Sequence, residues 1–408
     1  MRFYSISKLH SYSLSFCICL FIITAHSFAE DGKMIIIPSI TPEWRDDSNY
    51  YKSEGLERAV STYSIKPGIN MGYKTPKTTF ALDGFLDFQR YNDEDDVPAG
   101  LLSADEDDYT EELLGVTAES QLFDRLSFGI DAGYMNTREA AESDIYSNST
   151  KREEFTISRV APKVTYRFGE KFGLLSSYAN SSIDYDRSNA SDSTQNRGKF
   201  DLFYNLNTNT SFDLDYQVWS RDYDMTTTSD YTSQQLMINM NKQYKYFSIS
   251  GGIGYQERSF DVGGKEDIDA LAWQFSLTGQ SSSSEEIELT GESARSRMML
   301  SLSQNLNDVG TDEEYYTATR VDAKVSRLFM TKLDTSIKGF FQNSDYELIT
   351  REDDTWNIAA EIKYLMKEWL IFSLESGYET RDSNYYGEDY DANYAMFNVQ
   401  FIYNLGSR

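Results

Sequence analysis

Residues 78–91 read TTFALDGFLDFQRY, and their side chains alternate in kind along the whole stretch. Phe80, Leu82, Gly84, Leu86 and Phe88 fall on one face, while Ala81, Asp83, Phe85, Asp87 and Gln89 fall on the other. A period of two sustained this long describes an extended strand with an apolar and a polar face. Strands of roughly ten residues are long for a soluble sheet and suit a tilted crossing of a bilayer.

The pattern recurs along the chain. Phe200, Leu202, Tyr204 and Leu206 oppose Asp201, Phe203 and Asn205; Phe212, Leu214, Tyr216 and Val218 oppose Asp213, Asp215, Gln217 and Trp219. Val160, Val164, Tyr166 and Phe168 oppose Arg159, Lys163, Thr165 and Arg167. Leu271, Trp273, Phe275 and Leu277 oppose Ala272, Gln274, Ser276 and Thr278, and Ile358, Ala360, Ile362 and Tyr364 oppose Ala359, Glu361 and Lys363. A soluble β-sandwich would have shorter strands and inner faces free of so much charge.

The connections alternate as well. Tight ones fall at Lys74–Lys77, Phe123–Arg125, Gly169–Lys171, Asn207–Asn209, Gln243–Lys245, Gly279–Ser284, Phe329–Lys332 and Met366–Glu368. Longer polar ones fall between them, from Arg45–Ala59 to Asn384–Asp389. Short turns on one rim and long loops on the other describe an all-β, antiparallel, up-and-down transmembrane barrel of about 18 strands, or about 16, with its short turns in the periplasm. The first strand is expected around Met34–Trp44, where Pro38 and Pro42 suit an edge or seam paired poorly on one side. The last is expected around Asn393–Leu405. In the strand after Gly279–Ser284, Ile287 and Leu289 are out of phase with Leu300 and Leu302, which calls for a bulge near Ser293–Met298.

The chain opens with Met1, Arg2 and Lys8, an apolar run from Leu14 to Ala25, and small residues at Ser27 and Ala29. That is the form of a secretory signal peptide over residues 1–29, with the barrel in 30–408 and the outer membrane as destination. Cleavage there would remove Cys17, Cys19, His10 and His26, which are all the cysteines and histidines of the chain. The mature protein would then hold no disulfide, no thiolate or imidazole metal site and no histidine-based triad, so a hydrolase is disfavoured and no cofactor is expected. Loss of Arg2 and Lys8, with no acid, takes the net charge from −27 to −29. Such a balance excludes nucleic acid as a partner. The 14 % aromatic content, against only 6 prolines, excludes a disordered acidic chain.

If the apolar face meets lipid, the other lines the lumen. It carries Arg159, Lys163 and Arg167, then Asp201 and Phe203, then Asp213, Asp215, Trp219 and Arg221. Further along it carries Lys324, Lys338, Glu361, Lys363 and Glu375. These charges either pair across strands and solvate the interior or form a mixed-charge path for a hydrophilic solute. The inward aromatics Phe85, Phe203, Trp219 and Phe340 either fill space or offer faces on which sugars stack. Two acidic clusters share one long loop: Asp93, Asp95 and Asp96, then Asp105, Asp107 and Asp108. They either stay solvated or gather a divalent cation, which could bridge to lipopolysaccharide phosphates; no EF-hand spacing is present.

Residues 35–51 (IIIPSITPEWRDDSNYY) and 63–93 (YSIKPGINMGYKTPKTTFALDGFLDFQRYND) resemble a family of outer-membrane β-barrel porins associated with exopolysaccharide and capsule biosynthesis operons. The matching positions are Pro38, Ile40, Asp46, Asp47 and Asn49, then Pro67, Gly68, Tyr73, Thr75 and Pro76. The resemblance implies a pore or accessory protein supporting exopolysaccharide secretion, with polysaccharide, outer-membrane lipid and periplasmic secretion proteins as partners, and no catalytic residues. The residues leave open a general or solute-selective porin and a non-conducting structural or adhesive barrel.

Overall fold

The computed structural model describes residues 32–405 apart from 53, 56, 98–102, 139–153, 187–191, 225–228, 262–265, 283–294, 309–314 and 348. The expected signal peptide lies outside the described residues. The strands are β1 (Lys33–Asp47), β2 (Val60–Lys74), β3 (Thr78–Asp93), β4 (Tyr109–Phe123), β5 (Leu126–Thr137) and β6 (Phe155–Arg167). They continue with β7 (Phe172–Tyr185), β8 (Ser193–Asn207), β9 (Thr210–Tyr223), β10 (Tyr231–Gln243), β11 (Phe247–Phe260) and β12 (Ile268–Gln280). The last six are β13 (Ser296–Asp308), β14 (Tyr315–Phe329), β15 (Leu333–Tyr346), β16 (Glu352–Lys367), β17 (Leu370–Ser383) and β18 (Tyr390–Ile402). One 3-10 turn, Ala104–Asp107, precedes β4.

Each strand pairs antiparallel with its neighbours in sequence, and β1 pairs with β18, so the 18-stranded sheet closes on itself. Closure leaves no unpaired edge, which is what allows strands to cross hydrocarbon. Following paired residues once around the sheet returns to β1 displaced by about 22 positions, the stagger that tilts strands in a barrel.

Alternation decides which side chain faces lipid. Ile253, Val325, Ile337 and Ile358 are exposed on the outside, as are Phe80-face residues such as Leu86 and Phe88. In a soluble protein so large an exposed apolar surface would be a liability; on a closed barrel it is the lipid-facing belt. Aromatic residues gather at the short-turn end, among them Phe168, Phe172, Tyr244, Phe247 and Trp369. Tyr244 stacks on Phe247 at 4.3 Å, and Phe172 on Tyr204 at 4.6 Å, as in an interfacial girdle.

Proline interrupts the ladders locally, because it has no N–H to donate. β1 pairs with β2 along its full length, but its ladder with β18 starts at Ser39 and skips Thr41 and Pro42. The Pro38 carbonyl accepts from Tyr403 N–H at 3.0 Å, so this phase of β1 faces β18 and both prolines withhold donors from that side. The one-sided pairing expected for the first strand is therefore present at the seam. Likewise the β2–β3 ladder skips Lys66 and Pro67, and the β6–β7 ladder skips Ala161 and Pro162.

Two expectations are corrected. Gly279–Ser284 is not a tight turn: Ser281 N–H donates to the Ser296 carbonyl at 2.9 Å, so the connection runs through residues 281–295. Its polar start resembles a turn, but Gly279 and Gln280 are still in β12, paired with Met298 and Arg297. Second, β13 runs in unbroken register with β14 from Ser296, so Ser296–Met298 holds no bulge. Ile287 and Leu289 lie outside the described residues. The last strand also ends earlier than expected, at Ile402, although Leu405 N–H still reaches the Ile36 carbonyl at 2.8 Å.

Gly254, on the lumen side of β11, shows how closely strands approach. A Cβ there would lie 2.2 Å from the Leu236 carbonyl oxygen. Gly254→Ala is expected to destabilise the barrel by about 1–3 kcal/mol, since a backbone atom must move. The midpoint of urea unfolding in detergent or lipid checks it.

Candidate functional site

The inner wall is built from the alternate residues of every strand, and the lumen-lining candidates lie on β6, β8, β9 and β14–β17. The structure divides them. Arg159 on β6 and Asp215, Trp219 and Arg221 on β9 share a cavity of about 630 Å³ against the wall of β6–β13. Lys163, Arg167, Asp201, Asp213 and Phe203 lie outside its lining. Lys338, Glu361, Lys363 and Glu375 form a separate network across β15–β17, with Lys324 facing Lys338 from β14.

Near the cavity the charges are partly compensated. Lys199 forms an ion pair with Asp215. Asp201 stands directly opposite Asp215 in the ladder, and Phe203 opposite Asp213. Asp213 accepts from Asn239 at 2.6 Å and from Asn241 at 3.3 Å. Lys163 bridges Asp131 at 3.3 Å and Glu119 at 3.7 Å. In the other network Lys338 reaches past β16 to Glu375 at 2.9 Å, Tyr394 donates to Glu375 at 3.0 Å, and Lys363 pairs with Glu361 at 2.9 Å. Cross-strand pairing thus accounts for many of the lumen charges.

The inward aromatics do not form an open line of stacking faces. Trp219 is 6 % exposed, and the Arg197 guanidinium sits 4.5 Å from its ring centroid. Lys66 covers Phe85 at 4.1 Å and Arg320 covers Phe340 at 4.0 Å. Phe203 fills the space that a Cβ on Gly173 would need. Three of the four rings are held by cations, so they fix charges in place and do not await a sugar.

Much of the cavity lining was not evident from the sequence. Arg197 and Lys199 on β8, Gln256 and Arg258 on β11, and Asn239 on β10 all face it. The signal was available: Gln195, Arg197 and Lys199 continue the alternation of Asp201 and Phe203, but the polar composition of residues 186–196 masks the start of β8. On β11, inward Gly252 and Gly254 blank the pattern just before Gln256 and Arg258.

The long-loop mouth carries a repeated arrangement of arginine over tyrosine. Arg58 lies over Tyr51 at 4.7 Å, Arg138 over Tyr109 at 5.0 Å, Arg258 over Tyr231 at 4.1 Å and Arg351 over Tyr346 at 4.5 Å. The β1–β2 connection is drawn inward. Asn49 donates to the Asp391 carbonyl at 3.0 Å, and Lys52 reaches lumen-facing Glu379 at 2.6 Å. Tyr51 donates to Asp107 at 2.8 Å; burial and this carboxylate push its hydroxyl pKa up, so it remains a donor. Lys52→Ala is expected to release this loop. Stability should change by less than about 1 kcal/mol, while open-channel conductance and its fluctuations rise in planar bilayers.

The acidic loop is tied into the same mouth. Asp93 pairs with Arg58 and accepts from Ala104 N–H at 2.7 Å; Asp107 meets Arg138 at 3.2 Å; Asp108 accepts from Tyr91 N–H at 2.8 Å. Asp95, Asp96 and Asp105 are exposed. Among the described residues, no group of three or more such ligands is arranged to hold a metal ion.

Over residues 250–403 the chain matches the family model described as "Putative beta-barrel porin 2". The match covers less than two-fifths of the chain, toward its C-terminal end, and does not include residues 35–93. No curated protein matches in sequence. Among solved structures the chain is similar to Pseudomonas aeruginosa OccK2 (OpdF), at 11 % identity and TM-score 0.49, over 93 % of this chain and 99 % of that one. It is similar to Pseudomonas aeruginosa OpdQ at 12 % identity and TM-score 0.48, over 92 % and 100 %. It is also similar to Acinetobacter baumannii OccAB2 at 11 % identity and TM-score 0.47, over 91 % and 98 %. A closed antiparallel sheet with an apolar exterior and a charged, hydrogen-bonding interior is an integral outer-membrane β-barrel of porin type.

Proposed function

We propose that the barrel is a passive conduit for hydrophilic solutes and that its use is exopolysaccharide secretion across the outer membrane. The observation that carries this reading is the polar cavity of about 630 Å³ inside the wall, lined by amides and charged groups suited to a hydroxyl-rich solute. The N-terminal resemblance and the family match over residues 250–403 support it. The lining offers passage, not chemistry: its groups bind and orient through hydrogen bonds. By the barrel rule the short turns face the periplasm, where secretion proteins would feed the pore, and the long loops face outward among lipopolysaccharide.

A small-solute porin is the second reading, favoured by the β1–β2 connection drawn into the mouth through Lys52 and Glu379. The discriminating experiment is single-channel recording of the refolded protein with and without neutral oligosaccharide, beside a deletion strain. Steady conductance that oligosaccharide blocks, with loss of secreted polymer on deletion, supports the secretion conduit. Conductance with normal polymer and impaired uptake supports the small-solute porin. Absence of conductance turns attention to a structural or adhesive barrel.

A further inference from the structure

The protein is strongly acidic, yet one wall of its lumen is basic. Four arginines (Arg159, Arg197, Arg221 and Arg258) and Lys199 line the cavity against a single carboxylate, Asp215. Lys199 is already paired with that carboxylate. Arg159 is exposed and has no hydrogen-bond or ion-pair partner among the described residues. Arg258 is 2 % exposed; its Nε donates to Ser233 at 3.0 Å and its guanidinium rests on Tyr231, but Nη1 has no partner among the described residues. A guanidinium N–H taken out of bulk solvent and left without an acceptor is a site waiting for an anion.

We propose that this wall binds the carboxylate of an acidic saccharide, a uronate-type sugar, as the solute moves through the barrel. The proposal rests on the saccharide-conduit reading and adds the sign of the solute's charge. Arginine's planar fork matches a carboxylate, and its charge persists at every physiological pH. Around the arginines stand Gln217, Gln235, Gln256 and Gln274, whose amides both donate and accept, as sugar hydroxyls require. Tyr231 and Trp219 hold Arg258 and Arg197 from beneath, which keeps the guanidinium planes fixed before the solute arrives. The net charge of −27 does not cancel this, because charges beyond about 8 Å are screened at physiological salt. Acids do stand near the cavity, at Asp201 and Asp213, but outside its lining.

The test uses planar bilayers with the refolded full barrel. Two measurements are made on the unaltered protein and on Arg159→Gln/Arg197→Gln, whose folding is verified by a heat-modifiable gel shift. The first is the chloride-to-potassium permeability ratio from the reversal potential in a salt gradient. The second is current block by trigalacturonate against maltotriose, a neutral sugar of equal length. The expected result is a ratio favouring chloride, and block by trigalacturonate at an about tenfold lower concentration, the effect of one hydrogen bond to a charged group. The double variant should lose both. Equal block by the two sugars, or a preference that survives the double substitution, overturns the proposal while leaving the conduit reading intact. If neither sugar blocks an open channel, the conduit reading fails. The anion site is then decided by the permeability ratio alone: loss of chloride preference in the variant upholds it, and an unchanged ratio overturns it.

Discussion

Asp353→Ala is expected to destabilise the folded barrel by about 3–5 kcal/mol, the cost of removing one partner of a buried, hydrogen-bonded ion pair. Asp353, at the start of β16, is 0 % exposed. It accepts from Arg351 Nε at 3.0 Å and Nη2 at 2.7 Å, and from Ser383 Oγ at 2.6 Å. Burial alone would lower the Arg351 pKa, but the bonds to Asp353 outweigh it and hold the guanidinium charged. Arg351 also meets Glu388 at 2.9 Å, and Arg381 meets Glu388 at 3.5 Å, so one deletion disturbs two arginines. Asp353→Asn keeps the shape and should cost less. Unfolding midpoints in urea, read by tryptophan fluorescence or by loss of heat-modifiability, check both. A loss below about 1 kcal/mol for the alanine variant would place the network in solvent, where such pairs contribute little.

Ile358→Arg is expected to cost about 2–4 kcal/mol, the penalty for a cation near the bilayer midplane on a barrel's lipid face. Ile358 lies mid-strand in β16, 52 % exposed, between Gly339 and Tyr378 on the neighbouring strands. A long arginine there has no lumen water within reach and must snorkel past the belt. Gln274→Arg is the matched control: it is exposed on the lumen side of β12 and should change stability by less than about 1 kcal/mol. Refolding into lipid vesicles followed by denaturant titration measures the pair. Equal costs at the two positions would mean that the inside and outside faces are exchanged.

The in–out alternation was legible in the sequence because it is a local property. Phe80 and Leu82 declare a lipid face without knowledge of any other strand, and the rims follow from where the pattern stops. Strand number and the closed antiparallel architecture follow from the same signal. What was hidden depends on register between strands. Nothing near Trp219 in the chain says that Arg197 lies over it; β8–β9 pairing puts them directly opposite. The same holds for Phe85 under Lys66 and for Lys338 reaching across to Glu375. The misplaced turn at Gly279–Ser284 has a local cause: serines following glycine carry a turn's composition, and the strand end is decided by Gln280 pairing with Arg297.

The two prolines of β1 bear on how the sheet closes. The β1–β18 junction joins the first and last segments of the barrel, so among the strand pairings it closes the longest loop and carries the largest closure entropy. It is also where backbone donors are withheld, at Pro38 and Pro42. A joint that is both long-range and underbonded is the natural place for the wall to part sideways, toward lipid. In the finished barrel, amide protons of β1 and β18 should exchange with deuterium sooner than those of β8 and β9. Replacing both prolines with threonine should slow that exchange and leave the conductance of the pore untouched.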